Sequence, residues 1–240
     1  MRFLRLIFLI TLILFLVNDS IQAQKRRNQI EIYGGGAFPL SPDEFKDFFK
    51  IGLSINVQYV IFPSNRLGIP LFAGFEGFTT DSDAINKSLR SNVLGDYFDP
   101  STGEYLYTVT DASLDVNGSA NGFKIGAGIR PYLSPVESPV QLFVFGSAIY
   151  NAINEKEEIK GGSVTATDNF GNTETINLQP EDFPQSKFEQ DIRRFGLALG
   201  GGIELPAGQK FNLILQGLFN IIFTSDEPTS FIGFTAGLVF

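Results

Sequence analysis

From Ile51 to Ile61, large apolar side chains take every second position: Ile51, Leu53, Ile55, Val57, Tyr59 and Ile61. Between them sit Gly52, Ser54, Asn56 and Gln58, with Val60 the one apolar exception. A period of two belongs to a β-strand, whose successive side chains point to opposite faces. At about 3.4 Å per residue these eleven positions extend roughly 35 Å, enough for a tilted strand to cross a bilayer. One such strand also suits the edge of a soluble sandwich, so recurrence along the chain decides.

The pattern recurs eight times, over about residues 29–38, 49–62, 67–80, 119–133, 140–152, 192–205, 211–223 and 232–240. The second, fourth and sixth strands end in short turns at 63–66, 134–139 and 206–209, where Pro, Asn and Gly favour tight bends. A short loop around Asp226-Glu227-Pro228 joins the last two strands. Longer connections follow the first, third and fifth strands, and two of these, 81–118 and 153–190, run to 38 residues each. An even strand count with short turns on one side and long loops on the other is the rhythm of an up-and-down transmembrane β-barrel. The fold class expected is therefore all-β, an eight-stranded antiparallel barrel.

The long stretches are acidic, with seven acidic and two basic residues in 81–118 and eight acidic and three basic in 153–190. Within them, residues 105–109 read as a strand extended beyond the membrane. Asp168-Asn169-Phe170-Gly171-Asn172 reads as a hairpin turn between Thr-rich arms.

The face opposite the aliphatic one carries three acids, Glu31, Glu76 and Glu204, and three bases, Lys124, Arg130 and Arg194. An eight-stranded barrel has an interior only wide enough for side chains to fill, and charges held there must pair. Strand positions sort these six into two layers. Glu31, Arg130 and Glu204 fall towards the short-turn end, and Glu76, Lys124 and Arg194 towards the long-loop end. Phe72, Phe78, Phe143 and Phe145 share the inward face, where they either pack the lumen or meet a small apolar molecule.

The chain has no histidine and no cysteine, which removes the commonest general base, the thiol nucleophile and the commonest soft metal ligands. Acidic neighbours such as Glu157-Glu158 and Glu181-Asp182 read as solvated loop charges. Asp96, Asp99 and Glu104, or Asp168 and Asn172, could offer oxygen ligands to calcium, but no complete loop motif frames them. Neither a cofactor nor a metal is expected, and a net charge of −8 without a basic stripe argues against a nucleic-acid partner.

Arg2 and Arg5, the apolar run Leu6 to Val17 and a small residue at Ala23 give the three parts of a secretory signal peptide, cut ahead of Gln24. Residues 1–23 are thus expected to be removed, leaving 24–240 as the barrel domain, with Lys25-Arg26-Arg27 as a solvated leader.

The chain closes on Ile232, Phe234, Ala236, Leu238 and Phe240, apolar at every second place and ending in an aromatic. In this it resembles the small eight-stranded outer-membrane barrels of the OmpA/OmpX type, and the resemblance covers the whole mature chain. Such a terminus is that family's insertion signal for the barrel-assembly machinery. Thr235 stands where the family prefers glycine, between Gly233 and Gly237. The resemblance implies outer-membrane lipid as surroundings, a monomer, and no enzymatic activity, because the family's barrel enzymes rely on a histidine. The function expected is a membrane anchor whose acidic loops 81–118 and 153–190 serve envelope integrity or meet an extracellular ligand. The alternative is a barrel that binds or passes a small apolar molecule.

Overall fold

A computed structural model describes residues 26–224 and 227–240, so the expected signal peptide lies outside the described residues. Among the described residues there are ten strands: β1 (Gln29–Ser41), β2 (Gly52–Ser64), β3 (Leu67–Thr79), β4 (Gly95–Phe98), β5 (Tyr105–Pro131), β6 (Gln141–Asp168), β7 (Thr173–Leu178), β8 (Lys187–Pro206), β9 (Asn212–Ile222) and β10 (Thr229–Val239). Eight of them, all but β4 and β7, close into an antiparallel ring in the order β5-β3-β2-β1-β10-β9-β8-β6, with β6 returning to β5. Two helices, α1 (Asp43–Phe48) and α2 (Ser82–Val93), lie on the long connections.

The ring follows from one-sided burial. Along β2 every second residue from Gly52 to Ser64 is buried and those between are exposed, Leu53 at 72%. From Leu53 to Ile61 the strand runs roughly 27 Å, which a 35–45° tilt converts to about 20 Å of height, close to the roughly 25 Å apolar band of such barrels. Ile32, Phe75, Ile125, Leu199, Leu215 and Phe234 continue the exposed apolar wall around the other strands. A water-soluble surface does not carry a continuous belt of this kind.

Inside, large rings lie over glycine. Phe72 faces Gly126 across β3 and β5, and Phe143 and Phe145 face Gly202 and Gly200 across β6 and β8. Phe78 lies over Gly52 in the same way. A Cβ at any of these glycines would come within 2.5–2.7 Å of the ring, so the missing side chain is what lets the phenylalanine turn inward.

The two long stretches depart from the expectation of loops. β5 and β6 stay paired from Ile129↔Gly146 to Tyr107↔Asp168, and at about 3.4 Å per residue each strand is roughly 90 Å long, far more than the roughly 30 Å of a bilayer core. Their outer halves join β4 and β7 in a four-stranded sheet, β4-β5-β6-β7, standing beyond the ring. Residues 105–109 do extend a strand, and Thr167↔Thr173 and Thr165↔Thr175 pair across the hairpin that turns at 168–172. A bulge inserts Lys160 where Asp115 faces Gly161 and Val116 faces Ile159. Gly161 has φ +150°, which a side chain rarely adopts, so this kink calls for glycine.

Between the spans paired with β3 and β4, the free edge of β5 is met by side chains of α2. Asn86 donates to Leu114 O at 2.9 Å and accepts from Leu114 N at 2.6 Å, mimicking a strand partner. Arg90 donates to Ala112 O at 3.0 Å and Ser82 to Val116 O at 2.8 Å. The carboxylate of Asp81 caps the helix, accepting from Asp83 N and Ala84 N. The first long connection also departs from a plain loop, since β1 continues to Ser41 and α1 follows.

Candidate functional site

Two regions could do work: the lumen of the ring and the sheet beyond it. In the lumen, β1 and β5 bring Glu31 and Arg130 together. Arg130 reaches both carboxylate oxygens of Glu31, one at 3.0 Å, and Gln58 donates to the same carboxylate at 2.8 Å. Both ionised groups are almost wholly buried, and the guanidinium also lies 4.4 Å from the ring centre of Phe143. Higher up, Lys124 pairs with Glu76, which also accepts from Ser54 at 3.4 Å. A bidentate pair that takes a further hydrogen bond from Gln58 offsets much of the cost of removing charges from water, although Arg130 Nε is buried without a partner.

The other two inward residues are arranged differently from the expectation. Glu204 is buried but meets Gln29 at 3.3 Å and Asn212 at 2.7 Å instead of a base. Arg194 keeps the inward parity of Gly196 and Ala198, yet it stands above the packed interior, exposed, donating to Arg193 O at 3.0 Å. Parity fixed its face and not its height.

Apolar layers lie at both ends of these polar groups. Tyr33, Val60, Phe62, Tyr132, Phe143, Ile214 and Val239 fill the short-turn end, with Phe145 against them. Arg26, expected in a solvated leader, instead lies 3.7 Å from the ring centre of Tyr132 and donates to Gln141 at 2.6 Å, covering this layer from below. At the other end Phe78, Phe231, Ala37, Ala120 and Ile222 pack together, with Phe45 of α1 over them, 5.0 Å from Phe78 between ring centres. The cavity left beside Glu76 holds only about 70 Å³.

The sheet beyond the ring carries a larger hollow. A pocket of about 620 Å³ opens on one face of β4-β5-β6-β7, a size usual for small-ligand sites. Leu89 and Val93 of α2 wall one side, Leu178 and Phe183 the other, and Val109, Ala112, Val164, Ala166 and Ile176 make the floor. Tyr97 and Tyr107 stack at its outer end, ring centres 5.2 Å apart. Nothing in the sequence marked this pocket, although Tyr97, Tyr107 and Tyr105 cluster within eleven residues of one another in an otherwise polar stretch. Another hollow, about 760 Å³, lies on the ring's outer wall over Ala73, Ala127 and Ala148, where acyl chains of a bilayer would fill it.

The residues weighed for calcium are engaged locally. Asp99 accepts from Ser101 N and Thr102 N, which hold its carboxyl below the usual range together with the Ser101 hydroxyl, the largest cause. Asp96 takes the hydroxyl of Thr108, and Asp168 is bound to Asn172 and Phe170 of its own turn. Among the described residues no three such groups gather at one point.

At the seam, Ile232, Phe234, Ala236 and Leu238 alternate outward from β10. Phe240 exchanges both backbone hydrogen bonds with Ile30, at 3.0 and 2.8 Å, which brings the C-terminal residue to β1.

The closed ring, its apolar belt and its division into short turns and long connections define a small eight-stranded transmembrane barrel, the architecture that the OmpA/OmpX resemblance implies. No protein-family model and no curated protein matches the chain. Among solved structures it is similar to Ail, the attachment invasion locus protein of Yersinia pestis, at 14% identity over 90% of this chain and 100% of that one, with a TM-score of 0.41. It is similar also to neisserial surface protein A, at 11% identity over 90% and 98% and a TM-score of 0.44. A major outer membrane protein of Thermus thermophilus gives 11% identity over 90% and 99% and a TM-score of 0.47. At such identities the likeness is one of fold.

Proposed function

We propose that this chain is an outer-membrane β-barrel without enzymatic activity, an anchor that holds the β4-β5-β6-β7 sheet and its acidic surroundings outside the cell for surface interaction. The observation that carries this reading is the contrast between a lumen filled at both ends and a sheet beyond it that holds a pocket of about 620 Å³. The absence of histidine and cysteine from the whole sequence supports a non-enzymatic role. Export follows from the signal peptide over 1–23, and the alternating terminus ending in Phe240 is the segment offered to the assembly machinery. The ion pairs Glu31–Arg130 and Glu76–Lys124 keep the lumen shut. Passage of an apolar molecule has against it that Phe78, Phe143 and Phe145 pack in the layers that fill the lumen.

Replacing 81–118 and 153–190 by short turns tests the reading. The ring strands remain, so the variant should still insert and show a folded, heat-modifiable band, while ligand binding or adhesion by the surface is lost. A variant that no longer inserts, or that keeps the full surface activity, would contradict an anchor with a separate working surface.

A further inference from the structure

The pocket on the outer sheet has a direction, and the strand register shows it. Tyr97, Tyr107 and Asp168 stand side by side in the row nearest the hairpin tip, and Val109, Ala166 and Glu174 form the next. Below them come Ala112, Val164 and Ile176, then Leu114, Gly162 and Leu178. Directly opposed residues share a face, so the pocket is polar and aromatic at the tip and, Ser113 apart, apolar towards the ring. Leu114 precedes the outward-facing Phe123 by nine residues along β5, roughly 30 Å of strand, so the pocket stands clear of the apolar belt.

Among the described residues, the only charged ones lining it are Asp168 and Glu174, both acidic. Of the two bases on α2, Lys87 and Arg90, neither lines the pocket, and Arg90 is committed to Ala112 O and to Asp111 at 3.0 Å. Hydrogen bonds from the side chain of Asn172, then from turn amides, hold the Asp168 carboxyl below the usual carboxylate range, so its charge is present at neutral pH. Tyr97 and Tyr107 are 36% and 40% exposed, which leaves aromatic surface for a cation beside that charge.

We propose that this pocket binds an amphipathic organic cation, its apolar or aromatic body lying on Ala112, Val164 and Ile176 and its ammonium or guanidinium head between the Tyr97–Tyr107 pair and the Asp168 and Glu174 carboxylates. The proposal rests on the outer sheet being the working surface. An anion of the same shape would meet two carboxylates and no base. A neutral molecule would gain the apolar floor alone.

The test uses the full chain in phosphatidylcholine nanodiscs, with empty discs as the control and three probes sharing a naphthylpropyl body: the trimethylammonium, the alcohol and the carboxylate. Calorimetry should show the ammonium binding about tenfold more tightly than the alcohol, with the carboxylate weakest. Glu174→Gln, an exposed change that leaves the fold alone, should cut the ammonium's affinity by about threefold and leave the alcohol's unchanged. Ala166→Trp, which fills the second row, should remove binding of all three. Equal binding of ammonium and alcohol would overturn the ligand class while leaving the outer sheet as a binding surface. Binding that survives Ala166→Trp would place the site elsewhere and overturn the proposal. No binding above empty discs by any probe would overturn the pocket itself and take from the surface reading its ligand site.

Discussion

The lower and upper halves of the β5–β6 hairpin are one continuous ladder of hydrogen bonds, yet they obey different rules. Below, Phe123, Ile125 and Ile129 face outward while Lys124 and Arg130 are sealed inside, and every backbone edge is closed by the ring. Above, the apolar residues gather on the one face that floors the pocket, the register slips at Val109/Asp111 and Asp115/Val116, and the open edge of β5 is met by side chains of α2. In lipid an unpaired backbone group has no water to turn to, so only closure suffices. In water, bulges, short strands and a helix are tolerated, and they shape a pocket that a uniform barrel wall does not have.

Removing one partner of a sealed ion pair should break the lower half most severely. Glu31→Ala leaves the Arg130 guanidinium buried without its carboxylate, and a loss of about 3 to 5 kcal/mol is expected. The check is the temperature at which the folded band converts to the unfolded one on a gel, with wild-type behaviour contradicting a dry pair. A smaller loss, about 1 to 3 kcal/mol, should follow Gly202→Leu, whose first carbon would lie 2.4 Å from the Leu215 carbonyl oxygen and 2.7 Å from the Phe143 ring. Equilibrium unfolding in urea from vesicles would register it, and an unperturbed midpoint would show the lumen to be looser than described.

In the upper half, Asn86→Ala should cost about 1 to 1.5 kcal/mol and act locally, freeing the Leu114 amide that Asn86 now holds. Faster hydrogen exchange at Leu114 with an unchanged barrel transition is the expected pattern; a fall in the barrel transition would mean the two halves melt together. Smallest of all, Lys156→Ala breaks an exposed cross-strand pair with Glu189, 2.7 Å long, and should shift thermal unfolding by no more than the error of the measurement. Thermal unfolding that moves further than this would assign the outer ladder an electrostatic role it lacks here.

How much the sequence discloses follows the same division. One-sided burial imposes a period of two, so all eight ring strands and the inward face of Glu31, Glu76, Lys124 and Arg130 are legible from alternation. The choice of partner is not, because Glu31 meets Arg130 only once ring closure sets β1 and β5 on opposite sides of β2 and β3. Arg194 shows the limit of parity, which names a face but not the height at which packing ends, and Glu204, buried against Gln29 and Asn212, shows that it does not name a partner either. The outer sheet leaves little periodic trace, since bulges at Val109/Asp111 and Asp115/Val116 break the alternation of its apolar face, and its helix meets the β5 edge through Asn86 and Arg90 as well as lining the pocket with Leu89 and Val93. Arg26 escapes notice because its place over Tyr132 and Phe62 is wholly a matter of tertiary packing.

If the outer sheet is the working surface, the lumen is shut to ions. Single-molecule conductance of the full chain in a planar bilayer tests it most directly. The layers around Phe143 and Phe78, with the two ion pairs between them, should give no steady current at moderate voltage. Stable, uniform channels from the wild-type protein would contradict the account.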